Sequence, residues 1–490
     1  MAKIFKKLSI LGLLLVMFMS VAMAAEVTED TTTEVTIPST EIEETTEVVE
    51  TDNVEQVAQT RSYNPISTDT VINDSTWDNQ AYDVTSNVKI TTNITQSNNI
   101  AFNLNGNNIT IDGLNIVNDE TQPICINIAS GSYDINIINT NVTIVNNETT
   151  ETMGIIINGA NDVLVDNCKV DIKAVSQDLY LPPNWVYSLK TSAILTDNSD
   201  NITISNNIVN IGTSTNTGSS SGTGEAITVR NNAHDVQVIN NTIIGQDFPY
   251  LYGISTSGFS YDLVLLNNTI QMTGINHFCG IQLASTSNST IRRNTITGTC
   301  SATSGQTASL EGFAYGIALS SSYRPTASES TNNLIEYNNI NITSNVTYAI
   351  ELSIADNTKV YNNTAYVYGE VVMALGLYNS SSCEIKENNF TVSGNSRELN
   401  PWAYDAITPQ TTGIKLVDDG YNNTKNNVIT GNIIRITDSN STITVYSVIL
   451  ENTSDANVTY NYLTYDWSIF NYRILDNGYN STIDPNSWLL

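Results

Sequence analysis

The stretch ITISNNIVNI, residues 202–211, decides the fold. Two short runs that alternate apolar and polar residues flank the pair Asn206-Asn207. A period of two is the pattern of half-buried strands. Asparagine tolerates left-handed backbone angles and bonds its own backbone, so the pair reads as a tight turn between two strands.

The phrase keeps returning. It appears as DINIINTNVTI, DVLVDNCKVDI, DVQVINNTIIG, DLVLLNNTIQM, STIRRNTITG, NLIEYNNINI, TKVYNNTAYV, CEIKENNFTV, NVITGNIIRI and NVTYNYLTY. Its turn asparagines are read as Asn139, Asn167, Asn207, Asn241, Asn268, Asn294, Asn339, Asn363, Asn389, Asn432 and Asn461. The shorter intervals between them put the unit in the mid-twenties of residues. The longer intervals hold DLYLPPNWVYS, GTSTNTGSSSGTG, GTCSATSGQTASLEG and NSRELNPWAYDAITPQ, whose Gly, Ser, Pro and aromatic content is that of loops.

A small residue followed by an aliphatic one forms a second landmark upstream of most of these turns. It is Gly154-Ile155, Ala193-Ile194, Ala226-Ile227, Gly253-Ile254, Gly280-Ile281, Gly316-Ile317, Ala349-Ile350, Gly376-Leu377 and Gly413-Ile414, with Cys125 in the small position of an earlier copy. Each unit therefore carries three short strands. One unit cannot bury its apolar face alone, whereas stacked copies bury a continuous core. The expected fold is all-β: a right-handed parallel β-helix, a solenoid of about a dozen rungs. Equivalent positions then form columns, and a column of asparagines can bond amide to amide from rung to rung.

The NNxI turns, the small-aliphatic strand and the phrase FNLNGNNITIDGLNIVN (102–118) resemble the right-handed parallel β-helix repeat family over roughly residues 85–480. As a whole the chain resembles adhesin-like surface proteins of methanogenic archaea. The resemblance implies the fold and a place at the cell surface. The usual cell-wall-binding repeats of such adhesins are not evident. The same fold hosts lyases, hydrolases, epimerases, copper-site assembly proteins and adhesins, so the fold alone does not settle function.

Composition narrows the classes. The formal net charge is −30, from 19 basic and 49 acidic residues. Nucleic acid and anionic membrane both need clustered Lys and Arg, so neither is an expected partner. Residues 1–24 read as a signal peptide, with Lys3, Lys6 and Lys7 before an apolar run and Ala22-Met23-Ala24 as the cleavage site. No membrane span is expected in the mature protein, which is read as secreted or held at the cell surface. Residues 25–61 are acidic and Thr-rich and read as a disordered linker. Residues 62–100 read as an N-terminal cap and first rung, and 101–490 as the β-helix with loop inserts. Sequons such as Asn93, Asn201, Asn345 and Asn457 follow from the repeat's use of Asn and Thr as much as from glycosylation.

Catalytic patterns are thin. Only Asp418-Asp419 and Thr196-Asp197 echo the motif set of β-helix hydrolases, and Asp418-Asp419-Gly420 reads as a turn. Arg292-Arg293 is the best lyase-base candidate. Asp134, Asp162, Asp200, Asp235 and Asp262 suggest an acidic column, read as turn-formers rather than as a Ca2+ ladder. His234 and His277 are far apart; His277 with Cys279 is a weak metal pair, read as packing. The five cysteines read as small buried hydrophobes. Aromatics carry the best binding hint, because flat rings beside Asn and Thr can hold sugars. The candidate glycan contacts are Trp185, Tyr187, Tyr250, Tyr252, Trp402 and Tyr404. No catalytic, cofactor or metal residue is assigned, with Ca2+ the one ion considered. The expected function is adhesin-like binding of a cell-surface or environmental polysaccharide, or of another surface protein, without catalysis. The alternatives are an extracellular polysaccharide lyase or glycoside hydrolase and a purely structural envelope protein.

Overall fold

The structure is a computed structural model. It describes residues 63–72, 81–92, 101–118, 124–147, 151–176, 178–181, 185–188, 190–216, 222–300, 312–320, 330–395, 411–418, 424–439, 444–464, 470–483 and 487–489. Within these residues every long sheet is parallel. There are three, of 15, 14 and 13 strands, and each strand pairs with its equivalents one turn earlier and one turn later. The chain visits the first, second and third sheets in turn and returns, which makes a parallel β-helix; such crossovers are right-handed. Fifteen strands in the first sheet exceed the dozen rungs expected. The rungs ahead of the first repeat phrase include Tyr63–Ile66 with Thr70–Ile72 and Ala81–Val84 with Val88–Thr92.

One rung shows the logic. Lys190–Asp197 lies in the first sheet, Asp200–Ser205 in the second and Ile208–Asn216 in the third. Ile194, Ile202, Ile204, Val209 and Ile211 all point inward and are buried. Their stacking partners form one continuous core from Ile66 to Leu463.

The corner between the second and third sheets is where Asn206-Asn207 sits, and its two members divide the work. Asn206 takes the left-handed backbone, with φ 57°. Asn207 turns inward and is buried. Its Nδ2 donates to Asn241 Oδ1 at 3.0 Å and to the Val165 carbonyl at 3.0 Å. The pattern runs through Asn207, Asn241, Asn268, Asn294, Asn338, Asn363, Asn388, Asn432 and Asn461, with each amide-to-amide bond at 2.9–3.0 Å. Each Oδ1 also accepts the backbone N–H of the preceding ladder residue. Amides in such a chain polarise one another and leave no corner donor unpaired.

Four of the eleven anchors read from sequence are displaced by one position. Asn139 and Asn167 take the left-handed place, and Thr140 and Cys168 occupy the buried one. Asn339 and Asn389 instead begin the third-sheet strands, and Asn338 and Asn388 are the ladder members. Cys168 accordingly stands in an asparagine slot: its N–H donates to Asn207 Oδ1 at 2.8 Å and its thiol donates to the Asp166 carbonyl. All five cysteines are buried thiols outside any disulfide.

The small-residue column has a steric cause. A Cβ on Gly280 would lie 2.5 Å from Ile296 Cγ2 and 2.8 Å from the Gly316 carbonyl oxygen. Here the first-sheet backbone presses on the third sheet. Gly376-Leu377 is out of register with this column, because Ile350 pairs with Leu375 and Ala374 is the small residue of that rung.

Candidate functional site

At each small residue the first-sheet strand places two successive side chains on the core side, so the outward residues fall three apart. Tyr348 and Glu351 both face out around Ala349-Ile350, and Cys279 and Gln282 do so around Gly280-Ile281. Register then sets Glu225, Tyr252, Cys279, Tyr315, Tyr348 and Met373 in one outward column. Tyr250, His277 and Phe313 stand in the column beside it.

This face is unlike the outer faces of the other sheets. Cys279, Tyr315 and Ala318 form a buried apolar cluster separate from the core, with Tyr252, Phe313 and Tyr348 packed against it. The rings form a continuous path. His277 lies 5.8 Å from Tyr250, 5.5 Å from Tyr252 and 5.5 Å from Tyr315 between centroids. Tyr315 stacks on Tyr348 at 5.3 Å with 8° between planes. A smaller apolar cluster, Met153, Ile156 and Leu195, occupies the same face on earlier rungs. Between the two, Thr228 donates to Glu225 Oε2 at 2.9 Å.

Desolvation sets the charge state of the aromatic end. Burial lowers His277 to about 4, so its ring is neutral at pH 7. Burial holds the Tyr252, Tyr315 and Tyr378 phenols above their ordinary value, with Glu351 adding to the shift at Tyr315 and Tyr378. Glu351 is raised from its ordinary 4.5 to about 7 by burial. It stands one rung below Gly376, where a Cβ would lie 2.7 Å from the Tyr378 ring, so that ring lies over the glycine. Tyr378 shares a hydrogen bond with Tyr348. Lys415 follows in the same column as Glu351 and Gly376, and its Nζ is 3.3 Å from Glu451 Oε2.

The residues singled out from sequence fall in different places. Tyr250 and Tyr252 lie on this face. Trp185 and Tyr187 lie in a strand, Trp185–Ser188, that pairs antiparallel with Asp178–Leu181 in an insert. Trp402 and Tyr404 lie outside the described residues. All four long inserts interrupt the chain between a third-sheet strand and the next first-sheet strand, at the edge where this face begins.

Arg292-Arg293 is elsewhere, at the corner of the second and third sheets. Arg292 Nε is 3.1 Å from Glu336 Oε1, and its guanidinium lies 5.6 Å from the Tyr337 ring centroid. Arg293 has φ 55° and fills the left-handed turn position. Neither is placed as a base for a substrate on the first sheet. Asp197 pairs with Arg230 at 3.0 Å. Asp418 Oδ2 accepts the Thr424 N–H at 3.2 Å, as a turn residue does, and Asp419 lies outside the described residues.

The acidic column is also corrected. Asp134, Asp162, Asp235 and Asp262 all have left-handed backbones with φ 52–57°, but Asn201 takes that place in the intervening rung. Asp200 belongs one position earlier, beneath His234. His234 Nδ1 lies 2.7 Å from Asp200 Oδ1 and 3.2 Å from Asp235 Oδ2, and its ring stacks on Tyr261 at 4.8 Å. Sequence reasoning missed this group because Asp200 and His234 meet only through rung register. Among the described residues, no helix is long and apolar enough to cross a membrane.

Neither a protein-family model nor a curated protein matches the chain. Solved structures of similar fold include the A-module of mannuronan C-5 epimerase AlgE6 from Azotobacter vinelandii. It is 15% identical, covers 78% of this chain and 90% of its own, and has a TM-score of 0.42. DFA-IIIase from Arthrobacter chlorophenolicus A6 in complex with GF2 is 9% identical, with coverages of 77% and 84% and a TM-score of 0.44. PfbA, a surface adhesin of Streptococcus pneumoniae, is 13% identical, with coverages of 74% and 82% and a TM-score of 0.42.

Proposed function

We propose that this is an adhesin-like protein, exported or held at the cell surface, that lays an extended glycan along the outward face of its first sheet without cutting it. The observation that carries the reading is the path of rings from Tyr250 and Tyr252 through His277 and Tyr315 to Tyr348. It crosses four successive rungs, about 14 Å along the axis. Tyr315 is buried and Tyr250, Tyr252, His277 and Tyr348 are half-buried, and the parts of these four rings that reach the surface, with their polar atoms, suit the C–H faces and hydroxyls of sugars.

Glycoside hydrolysis uses two carboxyl groups about 5–10 Å apart. Glu351, at the end of the ring path, stands four rungs from Glu225 and three from Glu451, about 19 Å and 14 Å along the axis. The test uses the full chain against a panel of oligosaccharides, followed by calorimetry and by assays for new reducing ends and unsaturated products. Binding without product is expected. Tyr348→Ala should weaken binding about tenfold, about 1.4 kcal/mol, with the melting temperature held within a few degrees. Release of product from any member would overturn the non-catalytic reading.

A further inference from the structure

The charge layout of the first-sheet face selects among glycans. From the strand Thr223–Arg230 to the strand Thr411–Val417, its described strands contain two cationic side chains, Arg230 and Lys415. Both are committed. Arg230 Nε is 3.0 Å from Asp197 Oδ2, with each side chain 16% exposed. Lys415 Nζ is 3.3 Å from Glu451 Oε2 and only 10% exposed. Opposing them within the same strands are Glu225, held by the Thr228 hydroxyl, and Glu351, which has no Lys or Arg within ion-pair distance among the described residues. In sequence, the segments 301–311, 321–329 and 396–410, which fall between these strands, carry two arginines against four acidic residues.

We propose that the face takes uncharged glycans and rejects polyuronates, a selectivity that rests on the reading of this face as a glycan site. The reason is one of geometry and charge together. A uronate polymer carries a carboxylate on every sugar, and a sugar laid along the axis is about as long as one rung is tall. Several carboxylates would therefore arrive over the path from Glu225 to Glu351, where the described strands offer no unpaired Lys or Arg to receive them. Two like charges repel by about 4 kcal/mol at 4 Å in a partly desolvated setting, and such pairs are weakly screened by salt. Pulling Lys415 or Arg230 away to meet a uronate would strand Glu451 or Asp197 in its place. A neutral sugar meets no such penalty.

The experiment compares gluco-, manno- and xylo-hexasaccharides with hexagalacturonate and hexamannuronate by isothermal titration of the full chain at pH 8.5, where Glu351 is ionised. The expected result is at least tenfold tighter binding of a neutral member than of either uronate. The double variant Glu225→Gln, Glu351→Gln should then gain at least tenfold for the uronates while changing neutral binding less than threefold. A general structural defect would weaken both classes. Equal or tighter uronate binding by the unmodified protein overturns this selectivity and leaves the glycan site standing. Binding of neither class removes the glycan site itself and the selectivity with it.

Discussion

The asparagine ladder should be the most sensitive point of the fold, and Asn294 is the member to perturb. It is fully buried. Its Oδ1 accepts the Asn268 backbone N–H and the Asn268 side-chain amide, both at 2.9 Å. Its Nδ2 donates to the Leu265 carbonyl at 2.9 Å and to Asn338 Oδ1 at 3.0 Å. Asn294→Ala removes the acceptor of two buried donors and the donor to two acceptors, the Leu265 carbonyl and Asn338 Oδ1. Each orphaned buried group costs about 1–3 kcal/mol, so the two donors alone cost about 4 kcal/mol. In a solenoid the loss is felt first by the affected rung and its neighbours. Hydrogen exchange read by mass spectrometry should therefore report it locally: about a thousandfold faster exchange in peptides of residues 263–300, with peptides of 133–176 little changed. Asn294→Asp is a sharper control. A carboxylate still accepts from Asn268 but turns a lone pair toward the Leu265 carbonyl and Asn338 Oδ1, so this variant should be weak at pH 7 and partly recover near pH 4 as it gains a proton to donate. Asn267, exposed with φ 57°, has no buried amide to lose, so Asn267→Gly should stay within about 0.5 kcal/mol. Equal protection losses on changing Asn294 and Asn267, or an Asn294→Asp variant insensitive to pH, would refute the ladder as the stabilising element.

Three further outcomes follow from the same geometry. Because Glu351 is raised from 4.5 to about 7, the folded chain holds a proton there that the unfolded chain gives up; stability should fall as pH rises from about 4.5 to 7, by about 3 kcal/mol, and Glu351→Gln should flatten that fall in pH-resolved urea melts. Arg293 sits at φ 55° in a place where other rungs repeatedly use Asn, so Arg293→Asn should gain about 1 kcal/mol and leave glycan binding unchanged, whereas loss of binding would return Arg293 to the site. Millimolar Ca2+ should leave the melting temperature within about 1 °C, since the Asp residues of the acidic column serve left-handed turns; a clear rise would reinstate a cation ladder.

The corner and its buried amides were legible because Asn-Asn recurs between two period-two runs. Which member turns inward was legible too, but only through parity. Ile340 and Phe390 face the core, so the residues two before them, Asn338 and Asn388, must share that side. The same count from Val142 and Val170 lands on Thr140 and Cys168 rather than on Asn139 and Asn167. Anchoring on the asparagine itself loses this wherever the pair is followed or preceded by another polar residue. The ladder tolerates Thr and Cys at its first rungs because a hydroxyl or thiol can still donate to a nearby carbonyl, as Thr140 does to Ile138 at 2.9 Å.

Parity is also why the first-sheet face stayed hidden. Strict alternation from Tyr348 would send Ile350 outward and Glu351 into the core. The small residue breaks the alternation: Ala349 and Ile350 both lie on the inner side, and the phase shifts by one, as at a β-bulge. The shift recurs at Gly253, Gly280, Gly316 and Ala349, so the outward column it creates is regular in space yet obeys no simple period in sequence. Tyr252, His277, Tyr315 and Tyr348 come from four different rungs at unequal spacings in the sequence. The close packing that demands a glycine against Ile296 therefore does two things at once. It seals the core at the first sheet, and it turns Glu351 and the tyrosines outward onto one surface. A larger residue at Gly280 would push the strand back into plain alternation, and the path of rings would break at the rung that carries His277 and Cys279.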